Sequence, residues 1–187
     1  MTKIIFTILL TFFSITEIWA NDNYISLYKL KKNSVNKVIF LRHALAPGNG
    51  DPPNFNVNDC SSQRNLDQVG IAQSKMIGRA FNELDIKFSK IYSSYWCRCK
   101  DTAFNMKVGD FKTHEGLNSF YEKHSDRKIT LKKLNNLINS FEKSKGPYLL
   151  ITHYVNILAY TGLSISSGGM VAFDLNSKVS NYIKLND

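Results

Sequence analysis

Two apolar runs set the strongest limit on how this chain can fold: Lys37-Val-Ile-Phe-Leu-Arg42 and Tyr148-Leu-Leu-Ile-Thr152. Each has the length of one strand and is apolar without alternation, the pattern of a strand covered on both faces in a parallel sheet. Helical periods fall between and after them. Leu66 to Leu84 places Val69, Ala72, Met76, Ala80 and Leu84 at spacings of three and four, with Asp67 positioned to cap the start. Phe88 to Ser93 reads as a further strand, and residues 95–107 as a helix entered through Ser94. Thr130 can cap a helix to about Lys143 with Leu131, Leu134, Ile138 and Phe141 on one stripe, and Gly162 can end a helix begun near Tyr154. Residues 24–33 read as a short leading helix. Met170 to Leu175 and Lys178 to Leu185, around Asn176-Ser177, read as an antiparallel hairpin at a sheet edge.

Strands alternating with helices predict a three-layer α/β/α domain with a mainly parallel central sheet and a C-terminal antiparallel hairpin. A length of 187 residues suits one domain with a sizeable core. Hydrophobic residues make up 43% and charged residues 21%, which excludes a disordered polar tail and a bundle of membrane spans. From Ala44 to Gln63 the chain carries Pro47, Gly48, Gly50, Pro52 and Pro53, which sustain no period; so long a loop is expected to serve as a lid or binding loop.

Residues 1–20 begin with Lys3, continue as an apolar stretch from Ile4 to Ile15 and end in Ala20 before Asn21-Asp22. This is the layout of a secretory signal peptide, so residues 21–187 are expected as the mature domain in the periplasm or outside the cell. Ile18 is bulky for a cleavage site, and retention as an anchor is the competing expectation. Export makes Cys60, Cys97 and Cys99 candidates for one bridge, from Cys60 to Cys97 or to Cys99; the Cys-x-Cys spacing argues against zinc.

The net charge of +9 asks for an anionic partner. Nucleic acid is disfavoured, because the Lys29–Lys37 cluster is short and the Lys123–Lys133 cluster is mixed with Asp126; both read as solvated faces. No G-x-x-x-x-G-K-[ST] or G-x-G-x-x-G occurs. Ligands of open α/β sheets sit beyond the carboxyl ends of strands, and three such ends carry basic residues: Arg42-His43, Ser93-Ser94 leading to Arg98, and His153. A helix N-terminus beside Arg98 adds free N–H groups, so this edge suits a dianion such as phosphate.

At this point the sequence resembles the histidine phosphatase superfamily, the group that includes phosphoglycerate mutases and acid phosphatases. Leu41-Arg42-His43-Ala44 is similar to its Arg-His-Gly signature, with Ala44 in place of Gly. Arg64-Asn65-Leu66-Asp67 with Gly70 and Gln73 is similar to the segment opening its next helix. Ser93-Ser94 through Arg98 to Thr102-Ala103 resembles its second-arginine motif, and Thr152-His153 its second-histidine motif. The stretch from Leu41 to Gly48, Trp96-Cys97-Arg98-Cys99 and Thr152 to Asn156 further resemble an exported bacterial branch.

The resemblance implies a phosphomonoesterase acting on a phosphorylated small molecule or glycan with no metal or nucleotide cofactor. His43 would attack phosphorus as a neutral imidazole, Arg42 and Arg98 would clamp the phosphate oxygens, and His153 would complete the pocket as a donor. The pattern departs from the superfamily at the acid that protonates the leaving oxygen. Ser119 follows Leu117-Asn118 where a Glu is common, and Tyr154 follows His153 where other branches carry Asp. Asp51, Glu115 and Glu122 are the substitutes, with Asp51 best placed if the long loop folds over the pocket. Without an acid, substrates with good leaving groups such as phosphohistidine are favoured, and a domain that binds the anion without turnover is the alternative. His114 and His124 lie in an aperiodic stretch and are read as structural. Arg64 is expected to tie the loop to its helix, and Gln63 and Asn156 to stand behind the pocket.

Overall fold

The computed structural model describes residues 23–185; the expected signal segment lies outside them. Seven strands form one sheet in the order β1-β7-β6-β2-β5-β3-β4. Its centre is β2 (Lys37–Arg42) and β5 (Tyr148–Thr152), the two apolar runs, paired in parallel with Arg42 opposite Thr152. On one side β5 pairs in parallel with β3 (Lys90–Ser93), which pairs in parallel with the short β4 (Lys112–Thr113). On the other side β2 pairs antiparallel with β6 (Met170–Asp174), and β6 forms the expected hairpin with β7 (Ser180–Lys184).

The pleat explains why the interiors of these two central strands do not alternate with polar residues. Ile39 and Leu41 of β2, with Leu149 and Ile151 of β5, face a cluster that includes Ile77 and Phe81 of α2 (Gln68–Glu83) and Ala103 and Met106 of α3 (Cys97–Met106). Val38, Phe40, Tyr148 and Leu150 face the opposite cluster, with Leu134 and Ile138 of α4 (Arg127–Asn139) and Ile157 of α5 (Tyr154–Thr161). Helices therefore cover both faces of a mostly parallel sheet, and alternate residues of one strand serve two cores.

Four local expectations are corrected. Residues 24–26 form β1 (Tyr24–Ser26), and the leading helix α1 (Leu27–Lys32) starts only after it, capped by the Ser26 hydroxyl. β1 pairs in parallel with β7, so the hairpin does not end the sheet. The cap of α4 is Asp126, whose carboxylate accepts from the Ile129 N–H; Thr130 is buried one turn inside. In α2 the expected stripe is turned, since Val69 and Met76 are exposed while Gly70, Ser74, Ile77, Gly78 and Phe81 are buried. The reason is close approach by small residues: a Cβ on Gly78 would lie 1.9 Å from the Met106 carbonyl oxygen of α3, and one on Gly70 would lie 2.0 Å from that of Leu45. Glycine at these two positions brings α2 onto α3 and onto the segment that follows His43, and that contact decides which face is inward.

Candidate active site

Parallel pairing of β2, β5 and β3 aligns their carboxyl ends, so Arg42, His43, Ser94 and His153 emerge at one edge. Arg98 arrives from the first turn of α3. Arg42, His43, Arg98 and His153 line a single cavity of about 270 Å³ together with Arg64, Gly48, Gly50, Ser119, Tyr121 and Tyr154.

His43 is 2% exposed, and its Nδ1 lies 2.8 Å from the Ala44 carbonyl oxygen. A carbonyl can only accept, so Nδ1 carries the proton and the cavity receives an unprotonated Nε2. Burial first, then the positive field of Arg98, Arg42 and Arg64, brings the His43 pKa down to about 3, against the opposing Ala44 hydrogen bond. The Ala44 N–H is in turn fixed on the Thr102 hydroxyl at 3.0 Å, and that hydroxyl donates to the Arg98 carbonyl at 2.7 Å. The turn that carries His43 and the helix that carries Arg98 are thus bolted together through one threonine.

Arg42 and Arg98 are anchored in the same manner. Arg42 donates from Nη1 to the Ile165 carbonyl at 2.9 Å and lies over the Tyr154 ring. Arg98 donates from Nη1 and Nη2 to the two carboxylate oxygens of Asp51, at 2.7 and 3.1 Å, and from Nη1 to the Arg64 carbonyl at 3.2 Å. In both residues the buried Nε makes no hydrogen bond among the described residues. The unused Nε–H of each guanidinium, together with the Nη2 hydrogens of Arg42 and the one Nη2 hydrogen that Arg98 does not spend on Asp51, can match two oxygens of a tetrahedral oxyanion.

His153 is 4% exposed, with its ring edge-on to that of His43 at 5.4 Å between centroids. Its Nε2 lies 3.0 Å from the Ser94 hydroxyl and 3.5 Å from the Cys99 thiol. Ser94 donates to Asn118 Oδ1 at 3.2 Å, an oxygen identified by the Tyr95 N–H that it also accepts at 3.0 Å. With its proton so used, Ser94 accepts from His153, which places the proton on Nε2 and leaves Nδ1 as an acceptor. Burial, then Arg98 and His43, hold His153 well below the usual histidine range. The expectation of His153 as a donor is refined accordingly: its free nitrogen donates only after gaining a proton, a form that a bound phosphate dianion stabilises.

Both histidines make stability depend on pH. Their folded pKa values lie below that of an unfolded histidine, so between about pH 4 and pH 6.5 the unfolded chain binds more protons and stability rises with pH. For His43 alone the slope is about 1.4 kcal/mol per pH unit. Urea unfolding across this range without phosphate should show the rise, and His43→Ala should make it shallower.

Asp51 reaches the site, but not as the proton donor expected of it. Its two oxygens accept from Arg98 twice, from the Trp96 indole N–H at 3.0 Å and from the Arg64 N–H at 3.1 Å. Burial alone would raise its pKa; the Arg98, Trp96 and Arg64 contacts outweigh it and hold the carboxyl below the usual range. Asp51 is the counter-charge that positions Arg98. Glu115 is also committed, in an ion pair with Lys133.

The long loop is pinned over the site. Cys60 is bridged to Cys97, next to Arg98, and Cys99 remains a free buried thiol. Phe55 packs between Trp96, at 5.0 Å, and His124, at 4.4 Å. Gln63 accepts the Cys97 N–H at 2.9 Å and donates to the Asn56 and Val57 carbonyls at 3.0 Å, so it welds loop to helix. Asn156 donates to the Asn118 carbonyl at 3.0 Å, behind the pocket. Arg64 ties the loop as expected, donating to the Gly50 carbonyl at 2.8 Å and to that of Ala46, and it also lines the cavity as a third arginine. That second role was not read from the sequence, although Arg64 belongs to a quoted motif. Tyr121, which also lines the cavity, was signalled by no period or motif, whereas Ser119 was met only as the residue standing where a Glu is common.

No protein-family model matches the chain, and no curated protein matches it. Solved structures do match. The protein histidine phosphatase SixA complexed with tungstate shares 14% identity over 78% of this chain and 93% of its own, with a TM-score of 0.55. The mycobacterial glucosyl-3-phosphoglycerate phosphatase shares 13% over 79% and 97%, with a TM-score of 0.52. A protein assigned as an alpha-ribazole-5′-P phosphatase of Escherichia coli shares 12% over 82% and 97%, with a TM-score of 0.56. These neighbours are members of the histidine phosphatase superfamily, and this chain has their fold.

Proposed function

We propose that this chain is an exported phosphomonoesterase that hydrolyses a phosphate ester through a phosphohistidine on His43. One observation carries the reading: a neutral imidazole and two arginines, Arg42 half-buried and Arg98 buried, each with an Nε that makes no hydrogen bond among the described residues, line one cavity. The phosphatase assignments of the structural neighbours support the reaction class.

The geometry supports the following steps. Arg42 and Arg98 grip the equatorial oxygens and draw charge from phosphorus, and their anchors hold them in place before the substrate arrives. The Nε2 lone pair of His43 forms the P–N bond while the P–O ester bond breaks and its electron pair leaves with the alcohol oxygen. The Nδ1–H···O=C bond to Ala44 keeps the ring in the reactive tautomer throughout. Water then attacks phosphorus, the P–N bond breaks, and inorganic phosphate departs with His43 neutral again. The substrate is a phosphorylated small molecule or glycan, since the cavity is small and Tyr121 and Tyr154 are among the residues that line it. The signal-like residues 1–20 and the Cys60–Cys97 bridge support export, which predicts a mature chain about 20 residues shorter by intact mass.

The absence of a carboxylate at position 119 and the commitment of Asp51 to Arg98 favour a second reading, an anion-binding domain without turnover. Release of p-nitrophenol from p-nitrophenyl phosphate by the purified protein, with competitive inhibition by inorganic phosphate, is expected of the enzyme. Phosphate binding without any such release would establish the binder instead.

A further inference from the structure

Attack by His43 from the floor of the cavity places the displaced oxygen opposite, toward the mouth, because the entering and leaving atoms lie in line. None of the residues lining the cavity is Asp or Glu. One carboxyl lies directly behind that lining all the same. Glu122 follows Tyr121 and packs against Gly50, both of which line the cavity; a Cβ on Gly50 would lie only 2.6–2.9 Å from the Glu122 carboxyl atoms. Gly50 thus leaves a cradle that the carboxyl fills. The backbone is bent at this point: Glu122 and Lys123 take φ of 53° and 63°, the left-handed region that non-glycine residues seldom occupy, twice in succession. The carboxyl is half exposed, and His124 Nε2, which makes no hydrogen bond among the described residues, lies 3.6 Å away.

We propose that Glu122 is the proton donor to the leaving oxygen, seated beside the cavity by the Gly50 cradle. The proposal rests on the phosphohistidine reading. In the first half-reaction the protonated carboxyl gives its proton to the ester oxygen as the P–O bond breaks and His43 Nε2 takes the phosphoryl group. In the second, the Glu122 carboxylate takes a proton from the attacking water as the P–N bond breaks, which restores both groups. The substrate class follows: with an acid beside the cavity, alkyl phosphates, whose alkoxides leave badly unprotonated, fall within reach, and the chain is not confined to phosphohistidine or acyl phosphates.

The experiment compares Glu122→Gln with the unsubstituted protein on an alkyl phosphate, such as glycerol phosphate, and on p-nitrophenyl phosphate, whose leaving group needs little protonation. The loss in kcat is expected to be about 10²-fold or more on the alkyl ester and to shrink to a few-fold on the aryl ester. Glu122→Asp, which keeps the acid, should recover part of the alkyl activity. Equal losses on both esters, or an alkyl activity unaffected by Glu122→Gln, would overturn the proposal. Trapped phosphohistidine in Glu122→Gln given p-nitrophenyl phosphate keeps the underlying reading intact whichever result is found, whereas turnover without it removes both.

Discussion

Replacing His43 by alanine is expected to abolish turnover while leaving the protein folded and still able to bind phosphate. The substitution removes the nitrogen assigned to attack phosphorus. His153 spends its Nε2–H on Ser94, and Cys99 is fully buried, with burial pushing its thiol up to about 12, so it supplies no thiolate near neutral pH. The phosphate grip should survive, because Arg42 is anchored on Ile165 and Arg98 on Asp51 and Arg64, and neither leans on the imidazole. The covalent route then has no first step. Release of p-nitrophenol should fall by more than about 10³-fold, while calorimetric titration with inorganic phosphate changes by less than about tenfold. Turnover within tenfold of the unsubstituted protein would mean that the arginines activate water directly.

Replacing Asp51 by alanine should produce the largest loss of stability of any single substitution at the site. The Arg98 and Asp51 side chains are only 4% and 2% exposed, so removing the carboxylate strands a guanidinium in the interior. Breaking a buried ion pair in this way costs about 3–5 kcal/mol. The same change frees the Trp96 indole N–H and the Arg64 N–H, which hold the Pro/Gly loop to α3. Urea unfolding is the measurement. Saturating inorganic phosphate should restore part of the loss, because a bound dianion gives Arg98 a new counter-charge and stabilises only the folded state. A loss below about 1 kcal/mol, as for an exposed pair, would show that Arg98 turns to solvent when released. In the intact protein the pair acts on pH in the same direction as the histidines. Asp51 has a depressed folded pKa, so its contribution is present above the unfolded value near 4 and is lost as pH falls through the folded one.

The site was legible at those points where strand ends decide position. Continuous apolar runs identified β2 and β5 as buried parallel strands, and parallel alignment then brought Arg42-His43 and His153 to one edge. Arg98 followed because a helix entered directly from β3 must begin at that edge. What could not be read depends on contacts between distant segments. Asp51 looked like a free acid beside two prolines, since nothing in its neighbourhood shows that Trp96 and Arg98 converge on it. Tyr24–Ser26 is too short to display a period of two and is a strand only because β7 lies beside it. The buried face of α2 was misjudged because its hydrophobic spacing is outweighed by Gly70 and Gly78, whose value lies in what they allow to approach. Nothing in the sequence set Glu122 apart from Asp51 and Glu115, because its contact with Gly50 joins two distant segments.

Everything proposed for this site depends on a phosphoryl group resting on His43 Nε2, so the most direct measurement is to trap it. Protein mixed with ³²P-labelled phosphoenzyme donor, such as labelled p-nitrophenyl phosphate, is quenched within the first turnover in alkali, in which a phosphoramidate survives and a phosphoserine ester is slowly lost. Peptide mapping should then find the label on the segment that holds Arg42-His43, with none in His43→Ala. Turnover that proceeds with no label on the protein, or with label on any other residue, would contradict the account.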